Sequence, residues 1–328
     1  MTHPSRRLTL AIAAASLLVC SHAFAQTASW PARSVKIIVP FGPGTGLDTM
    51  ARAYAERLGE QTGGNFVVEN REGAGGTIGA IATARAAADG YTIMFTAHAP
   101  FAVAPFMQAG TTYDPSADFT PITKVAMIPM VLVTGAGSSF KTFAEMAAQA
   151  KAEPGKLDYA SSGVGTPSHL NVEVIKLEQG LDIIPVPYKS TSQAMTDLIG
   201  GQVPLYMPSF PAALPQMKAG KIRGLAIGSA QRSKIMPDIP TVAEVLGKPG
   251  MTAVVWYGFL APKGLPADVV ARLDVEISKA AASPRIVAAI DKIGADAVLV
   301  GPSNFAKDIQ ADATRSRELL RVLGVKPL

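Results

Sequence analysis

The sequence predicts an α/β protein in two domains, each a largely parallel sheet with flanking helices, joined by two crossover strands. Three observations carry that expectation. Short apolar runs alternate with segments whose apolar residues recur at helical spacing, the pattern of strand-loop-helix units. Two stretches, FTPITKVAMIPMVLVT at 119–134 and MTAVVWYGFLAP at 251–262, are longer and more apolar and break that rhythm. Read as strands passing between domains, they divide the chain into residues 26–125 with 255–328, and residues 126–254. Two crossings make a hinge, and a cleft between hinged domains is a preferred place for a small ligand. The competing arrangement is one large sheet with both stretches as central buried strands.

Ahead of the first element, Arg6 and Arg7 precede an apolar run, Leu8 to Val19, that is too short to span a membrane. Ala23-Phe24-Ala25 has the small residues of a cleavage site, so residues 1–25 are expected to be a removed export signal. A retained anchor helix is the alternative and would need a longer run. A lipid anchor on Cys20 is disfavoured by the bulk of Val19 before it. Cleavage discards the single cysteine and, with Arg6 and Arg7 gone and no acidic residue lost, lowers the formal charge from +5 to +3. A chain of this length buries enough core to fold without disulfides. Its small basic excess, with no Lys/Arg cluster interleaved with aromatics, argues against nucleic acid and suits an anionic small ligand.

The elements follow in order. Val35, Ile37, Ile38 and Val39 form an apolar run that ends in a loop with Gly42, Gly44 and Gly46, and Met50, Ala51, Tyr54 and Leu58 then recur at helical spacing. Phe66-Val67-Val68 leads through Gly73-Ala74-Gly75-Gly76 into a helix marked by Ile78, Ile81 and Ala82. The third strand, Thr92 to Thr96, ends in a loop with His98. Further strands are expected at 157–160, 183–186, 203–207 and 222–227. Helices between them are marked by Phe143, Met146 and Ala147, by Leu170, Val174 and Leu177, and by Ala194, Met195 and Leu198.

A strand that enters a helix through a side-chain-poor loop leaves backbone N–H groups free at the positive end of the helix dipole, and such a site attracts anions. Phe41, Gly42, Gly44, Thr45, Gly46 and Asp48 make one such loop. Ser161, Ser162, Gly163, Gly165, Thr166, Ser168 and His169 make a second in the other expected domain, with hydroxyls that either cap the helix or donate to a carboxylate. Two anion-receptive loops on facing domains suit a ligand with a carboxylate at each end. Three weaker groups flank them. Lys189, with Ser190, offers a cation or is a solvated surface lysine. His98, after Thr96 and Ala97 and close to Phe101, either meets a carboxylate or is a structural histidine. Met207, Pro208 and Ser209 end a strand and either line the cleft or pack.

Enzyme chemistry finds little support. Ile78 stands where the third glycine of a dinucleotide fingerprint belongs, and no later acidic residue ends a strand at the right distance. There is no G-x-S-x-G elbow and no Walker A lysine. After signal cleavage only His98 and His169 remain, far apart and without cysteine, so neither a metal site of usual spacing nor a cofactor is expected. Ser168 and His169 are adjacent, and adjacent side chains at a helix start point apart. An exported α/β enzyme acting on a carboxylic acid, with His98 or Asp48 as acid or base, stays as the alternative.

Taken in order, WPARSVKIIVPFGPGTGLDTMAR, VVENREGAGGTIGA, ADGYTIMF, YDPSADFTPIT, PGKLDYASSGVGTPSHL, VPYKSTSQAMTDLIGGQV, ALPQMKAGKIRGLAI, DIPTVAE and WYGFLAPKGLP span nearly the whole exported chain. Through them the chain resembles the periplasmic solute-binding receptors of tripartite tricarboxylate transporters, the Bug-type receptors. The resemblance implies a two-domain, type II-like periplasmic-binding-protein fold that closes by hinge motion on a carboxylated solute and hands it to integral membrane transporter subunits. It places ligand loops at Phe41 to Asp48, Thr96 to Pro100, Ser161 to His169 and Lys189 to Ser192. Presentation to a sensor's exported domain shares the same chemistry, and a monomer is expected. The chain departs from the family pattern at Thr45-Gly46-Leu47, at His98 and Phe101, and at Pro208-Ser209, where an Asp-Asn pair is often found. Loss of that acidic residue disfavours an amino acid. His98 and Phe101 favour a bulky acid, so a dicarboxylate, with an aromatic phthalate-type acid as one candidate, is the expected ligand.

Overall fold

The computed structural model describes residues 30–107 and 110–324. The expected export signal at 1–25 lies outside the described residues. Among the described residues, eleven strands fall into two sheets, one of six strands and one of five. The single-sheet alternative is therefore set aside.

The larger sheet begins as expected. Strand β1 (Val35–Val39) feeds helix α1 (Gly46–Thr62), β2 (Phe66–Asn70) feeds α2 (Thr77–Ala84) through a 3-10 turn, and β3 (Thr92–Ala97) feeds two short helices, α3 (Ala99–Ala102) and α4 (Ala104–Met107). The 17 residues of α1 are capped by Thr45, whose hydroxyl accepts from the Asp48 amide, and end before Gly63, held in the left-handed region at φ 70°. Strand β4 (Phe119–Pro129) completes the outward half, and the chain crosses at Met130 into β5 (Val131–Gly135) of the smaller sheet. There β6 (Leu157–Ser161), β7 (Ile183–Pro187), β8 (Leu205–Tyr206) and β9 (Ile222–Ile227) alternate with α5 (Phe143–Ala152), α6 (Pro167–Gln179), α7 (Thr191–Ile199) and α8 (Phe210–Lys218). After α9 (Val242–Leu246) the chain returns through β10 (Val254–Pro262), then α10 (Ala267–Ala281), α11 (Pro284–Lys292), β11 (Asp296–Val300) and α12 (Pro302–Val322).

The sheets are mixed, not largely parallel. The larger runs β11-β4-β10-β3-β1-β2 and the smaller β7-β6-β8-β5-β9. β1, β2 and β3 are parallel, but β10 is antiparallel to both β3 and β4, and β11 to β4. The reason is the crossing itself. β4 leaves the larger sheet at the edge facing the smaller one, and β10 enters at that same edge, so it must run the other way. In the smaller sheet β8 and β9 are likewise antiparallel to the entering β5, and β6 and β7 run with β8. The carboxyl ends of β1 and β3 thus face those of β6, β7 and β8 across the crossing point.

The two crossings are tied to each other. Met130 donates its amide to the Ala253 carbonyl at 2.9 Å, Gly228 donates to Met130 at 2.7 Å, and Ala253 donates to Gly228 at 2.9 Å. Gly228 has no room for a side chain, because a Cβ there would be driven into the Ala253 carbonyl. Each sheet carries cores on both faces. Tyr54, Phe95 and Phe259 fill one side of the larger sheet, and Phe101, Phe119, Trp256 and Phe305 the other. Tyr159 and Met207 lie on one side of the smaller, Tyr206 and Phe210 on the other. Full burial of one such ring or chain contributes about 2 kcal/mol.

Candidate functional site

The first loop is built around Asp48, which is 3% exposed. Its carboxylate accepts from the Gly44 amide at 2.9 Å, from the Asn70 side-chain amide at 2.9 Å and from Arg52 Nε at 3.0 Å. The same Asn70 amide donates to the Phe41 carbonyl at 2.9 Å. Burial by itself would raise the Asp48 pKa, but Arg52 together with the Gly44 and Asn70 donors outweighs it and holds the group below the usual carboxylate range. Asp48 therefore braces the loop. Thr45 is also committed, donating to the Gly42 carbonyl at 2.9 Å while accepting from the Asp48 amide. The exposed face keeps the amides at the start of α1, residues 45–47, which find no acceptor among the described residues.

Two further features meet this loop. The 73–76 turn takes four successive positive φ angles, and its Gly76 packs where a Cβ would strike Pro100 and approach Pro40 and Phe41. It thus ties the first loop to the 96–100 loop. Tyr257 of β10 brings its hydroxyl up to Gly46, 3.9 Å from where a Cβ would sit. The flank is not uniformly suited to anions, since the exposed carboxylate of Glu72 overlies Gly42.

The second loop is held by its own hydroxyls and histidine. Ser168 Oγ accepts from the Ser162 amide at 2.8 Å and lies 2.9 Å from Thr166 Oγ1, which donates to the Gly163 carbonyl at 2.7 Å. His169, 4% exposed, accepts from the Gly165 amide on Nδ1 at 3.2 Å and stacks on Tyr159. Burial lowers its pKa, against the opposing pull of Glu173, so the ring is neutral and free to accept. Ser162 Oγ sits 2.7 Å from the Tyr206 hydroxyl and 3.2 Å from Thr191 Oγ1, which makes a cluster of three hydroxyls. Ser161 Oγ is buried and has no partner among the described residues. Ser190 caps α7 by accepting from the Gln193 amide, and Lys189 beside it is exposed.

The remaining expected residues separate. Thr96 is buried, its hydroxyl bonded to the Ala97 carbonyl at 3.2 Å. Phe101 is 0% exposed and packs on Phe119 and Trp256, and Met207, also 0% exposed, sits in the smaller sheet's core. Neither side chain reaches the gap, because each follows a strand end whose apolar face is already claimed by a helix layer. His98 turns away from the first loop. Its ring meets Trp256 edge-on, and Nε2 lies 3.7 Å from Asp312 of α12. Burial lowers its pKa, Asp312 opposes and Arg315 adds to the lowering. Pro208 accepts from the Val131 amide, and Ser209 bridges to Met130, so both belong to the crossing.

Both units also line a cavity of about 520 Å³, with His98, Lys124, Trp256 and Asp312 on one wall and Pro167, Leu170 and Asn171 of α6 on the other. Beside it Leu170 packs with Val103, Met107 and Leu320 across the units, and a Cβ on Gly165 would strike Met107. The structure thus sets the second loop against the α4 end of the larger unit. Sequence reasoning missed Tyr206 and Tyr257. Thr191 fell inside the expected 189–192 loop, but nothing in an apolar run distinguishes a tyrosine whose hydroxyl reaches a loop from one that only packs.

Comparison with known proteins gives the family. Residues 50–325 match the family model described as the tripartite tricarboxylate transporter family receptor. Protein BugT of Bordetella pertussis is 37% identical over 299 residues, covering 91% of this chain and 91% of its own. The solved structure of R. palustris Rpa4515 with adipate is 33% identical with a TM-score of 0.80, covering 91% of this chain and 100% of that one. MatC from Rhodopseudomonas palustris with bound malate is 29% identical with a TM-score of 0.74, covering 89% and 100%. With the family model spanning most of its length and a relative this similar over nine-tenths of both chains, the chain belongs to the tripartite tricarboxylate transporter receptor family.

Proposed function

We propose that this chain is a periplasmic solute-binding receptor that closes on an aliphatic dicarboxylate between its two loop-bearing sheet edges and delivers it to a tripartite tricarboxylate-type membrane transporter. One observation carries the reading: two helix starts, those of α1 and α6, follow strand ends on the crossing side of their sheets, each with its loop braced by its own side chains. Each end offers donors to one carboxylate, the amides of residues 45–47 on one side and the hydroxyls of Ser162, Thr191 and Tyr206 on the other. Relatives whose structures carry adipate and malate, both dicarboxylates, support it. An aromatic acid loses ground because Phe101 is a core residue and His98 points toward α12. Export on the 1–25 signal and action as a monomer complete the proposal, since both loops come from one chain.

An enzyme reading finds its acid/base candidates already engaged, Asp48 with Arg52 and Asn70, His98 toward Asp312. The test is thermal unfolding against adipate, malate, citrate and phthalate, followed by recovery of the bound acid. A dicarboxylate at 100 times its Kd adds about 2.7 kcal/mol and should return unchanged. Chemical conversion of the acid, or stabilisation by phthalate alone, overturns the proposal.

A further inference from the structure

The Tyr257 hydroxyl is left open where the other described tyrosines are bonded, sealed or on the surface. Tyr113 donates to the Pro100 carbonyl, Tyr159 donates to Glu173 at 2.5 Å, and Tyr206 pairs with Ser162 at 2.7 Å. Tyr54 lacks a partner but its oxygen is sealed in the core. Among the described residues Tyr257 has no protein partner, and its oxygen is not among those shut off from solvent. Its position is fixed from beneath. β10 holds it in register with Ala97 and Ala126, and its ring stands edge-on to Phe95 with centroids 6.0 Å apart. Burial alone pushes its pKa up to about 12, so it stays a neutral O–H donor at any ordinary pH.

That donor points at one place. Gly46 opens a helix of 17 residues, and a Cβ on it would lie 3.9 Å from the hydroxyl with nothing else within contact. Among the described residues the amides of residues 45–47 at this helix start find no acceptor. A neutral phenol and a helix start that converge on one small gap provide donors, and no acceptor, for an anionic oxygen pair. The gap exists only because residue 46 has no side chain.

We infer that Tyr257 is a ligand-binding residue that donates its hydroxyl to a ligand carboxylate seated on the start of α1, and that Gly46 is the space-maker for that carboxylate. The inference rests on the carboxylate-receptor reading and deepens it, by naming the side chain that completes one end of the seat. Gly46 has no left-handed φ and nothing within 3.9 Å, so Gly46→Ala folds normally while filling the gap. Tyr257→Phe keeps the ring against Phe95 and removes only the oxygen.

The experiment is titration calorimetry of the wild type, Tyr257→Phe and Gly46→Ala with adipate and malate, with the ligand-free melting temperature of each. Both variants should melt with the wild type, and both should bind the acids about tenfold or more weakly, the cost of a lost hydrogen bond to a charged group. A tyrosine ultraviolet difference spectrum should accompany binding in the wild type and vanish in Tyr257→Phe. If the wild type binds an acid and both variants bind it equally well, this inference is overturned while the receptor reading stands. A wild type that binds neither acid removes both.

Discussion

Asp48 shows how one buried side chain can brace a loop from beneath. It is buried, and every oxygen is spent on the loop or on Arg52. Asp48→Ala leaves the Gly44 amide and the Arg52 guanidinium without their partner, so urea unfolding should show a loss of about 3 kcal/mol. Because its folded pKa is lowered, its contribution is present above the unfolded value of about 3.9 and is lost as pH falls below it. Glu72 acts oppositely. Its exposed carboxylate beside Gly42 repels an incoming acid, so Glu72→Gln should tighten dicarboxylate binding, by less than about fivefold because solvent screens the pair. Calorimetry at low and high salt checks it, and the gain should shrink as salt rises.

At the scale of elements, the strand-loop-helix units were legible because their signals are local. Apolar runs at 35–39 and 92–96 and the helical spacing after Gly46 are properties of neighbouring residues, and the structure puts β1, β3 and α1 there. Thr45, expected only as part of the ligand loop, caps α1: Thr45→Ala should cost about 1 kcal/mol of stability in urea unfolding. Strand direction was not legible. The same run at 254–262 reads alike whether β10 is parallel or antiparallel to β3, and only its point of re-entry decides. For the same reason Phe101 and His98, one helical turn apart, could not be sorted into core and cavity wall from spacing alone.

At the scale of the molecule, the crossing knot and the two largely enclosed histidines set how the protein responds to perturbation. Gly228→Ala drives a methyl into the Ala253 carbonyl, and since Met130, Gly228 and Ala253 share one hydrogen-bonded ring, it should lower stability by about 2 kcal/mol or more in urea. His98 and His169 both have pKa values lowered by burial, so the unfolded chain binds protons that the folded chain refuses. Stability is therefore complete above the unfolded value of about 6.5 and falls as pH drops below it, by at most about 1.4 kcal/mol per pH unit for each ring. The denaturation midpoint should be level above about pH 7 and decline toward pH 5. In the His98→Gln, His169→Gln double variant that decline should flatten, and an unchanged slope would refute the assignment.

By itself the sequence determined the compositional class, the alternation of strands and helices, the two glycine-bearing loops and the family, because each is written in short-range pattern or in ordered local motifs. It also contained both long apolar stretches, which became β4 with β5 and β10. Tertiary structure alone decided that these stretches run antiparallel, that Asp48 braces its loop, that His98 faces α12, and that Tyr257 reaches Gly46 from a strand more than 200 residues away in the chain. The physical reason is the range of the information. Periodicity reports which face of an element is apolar, but which neighbour claims that face depends on how distant strands enter a shared edge.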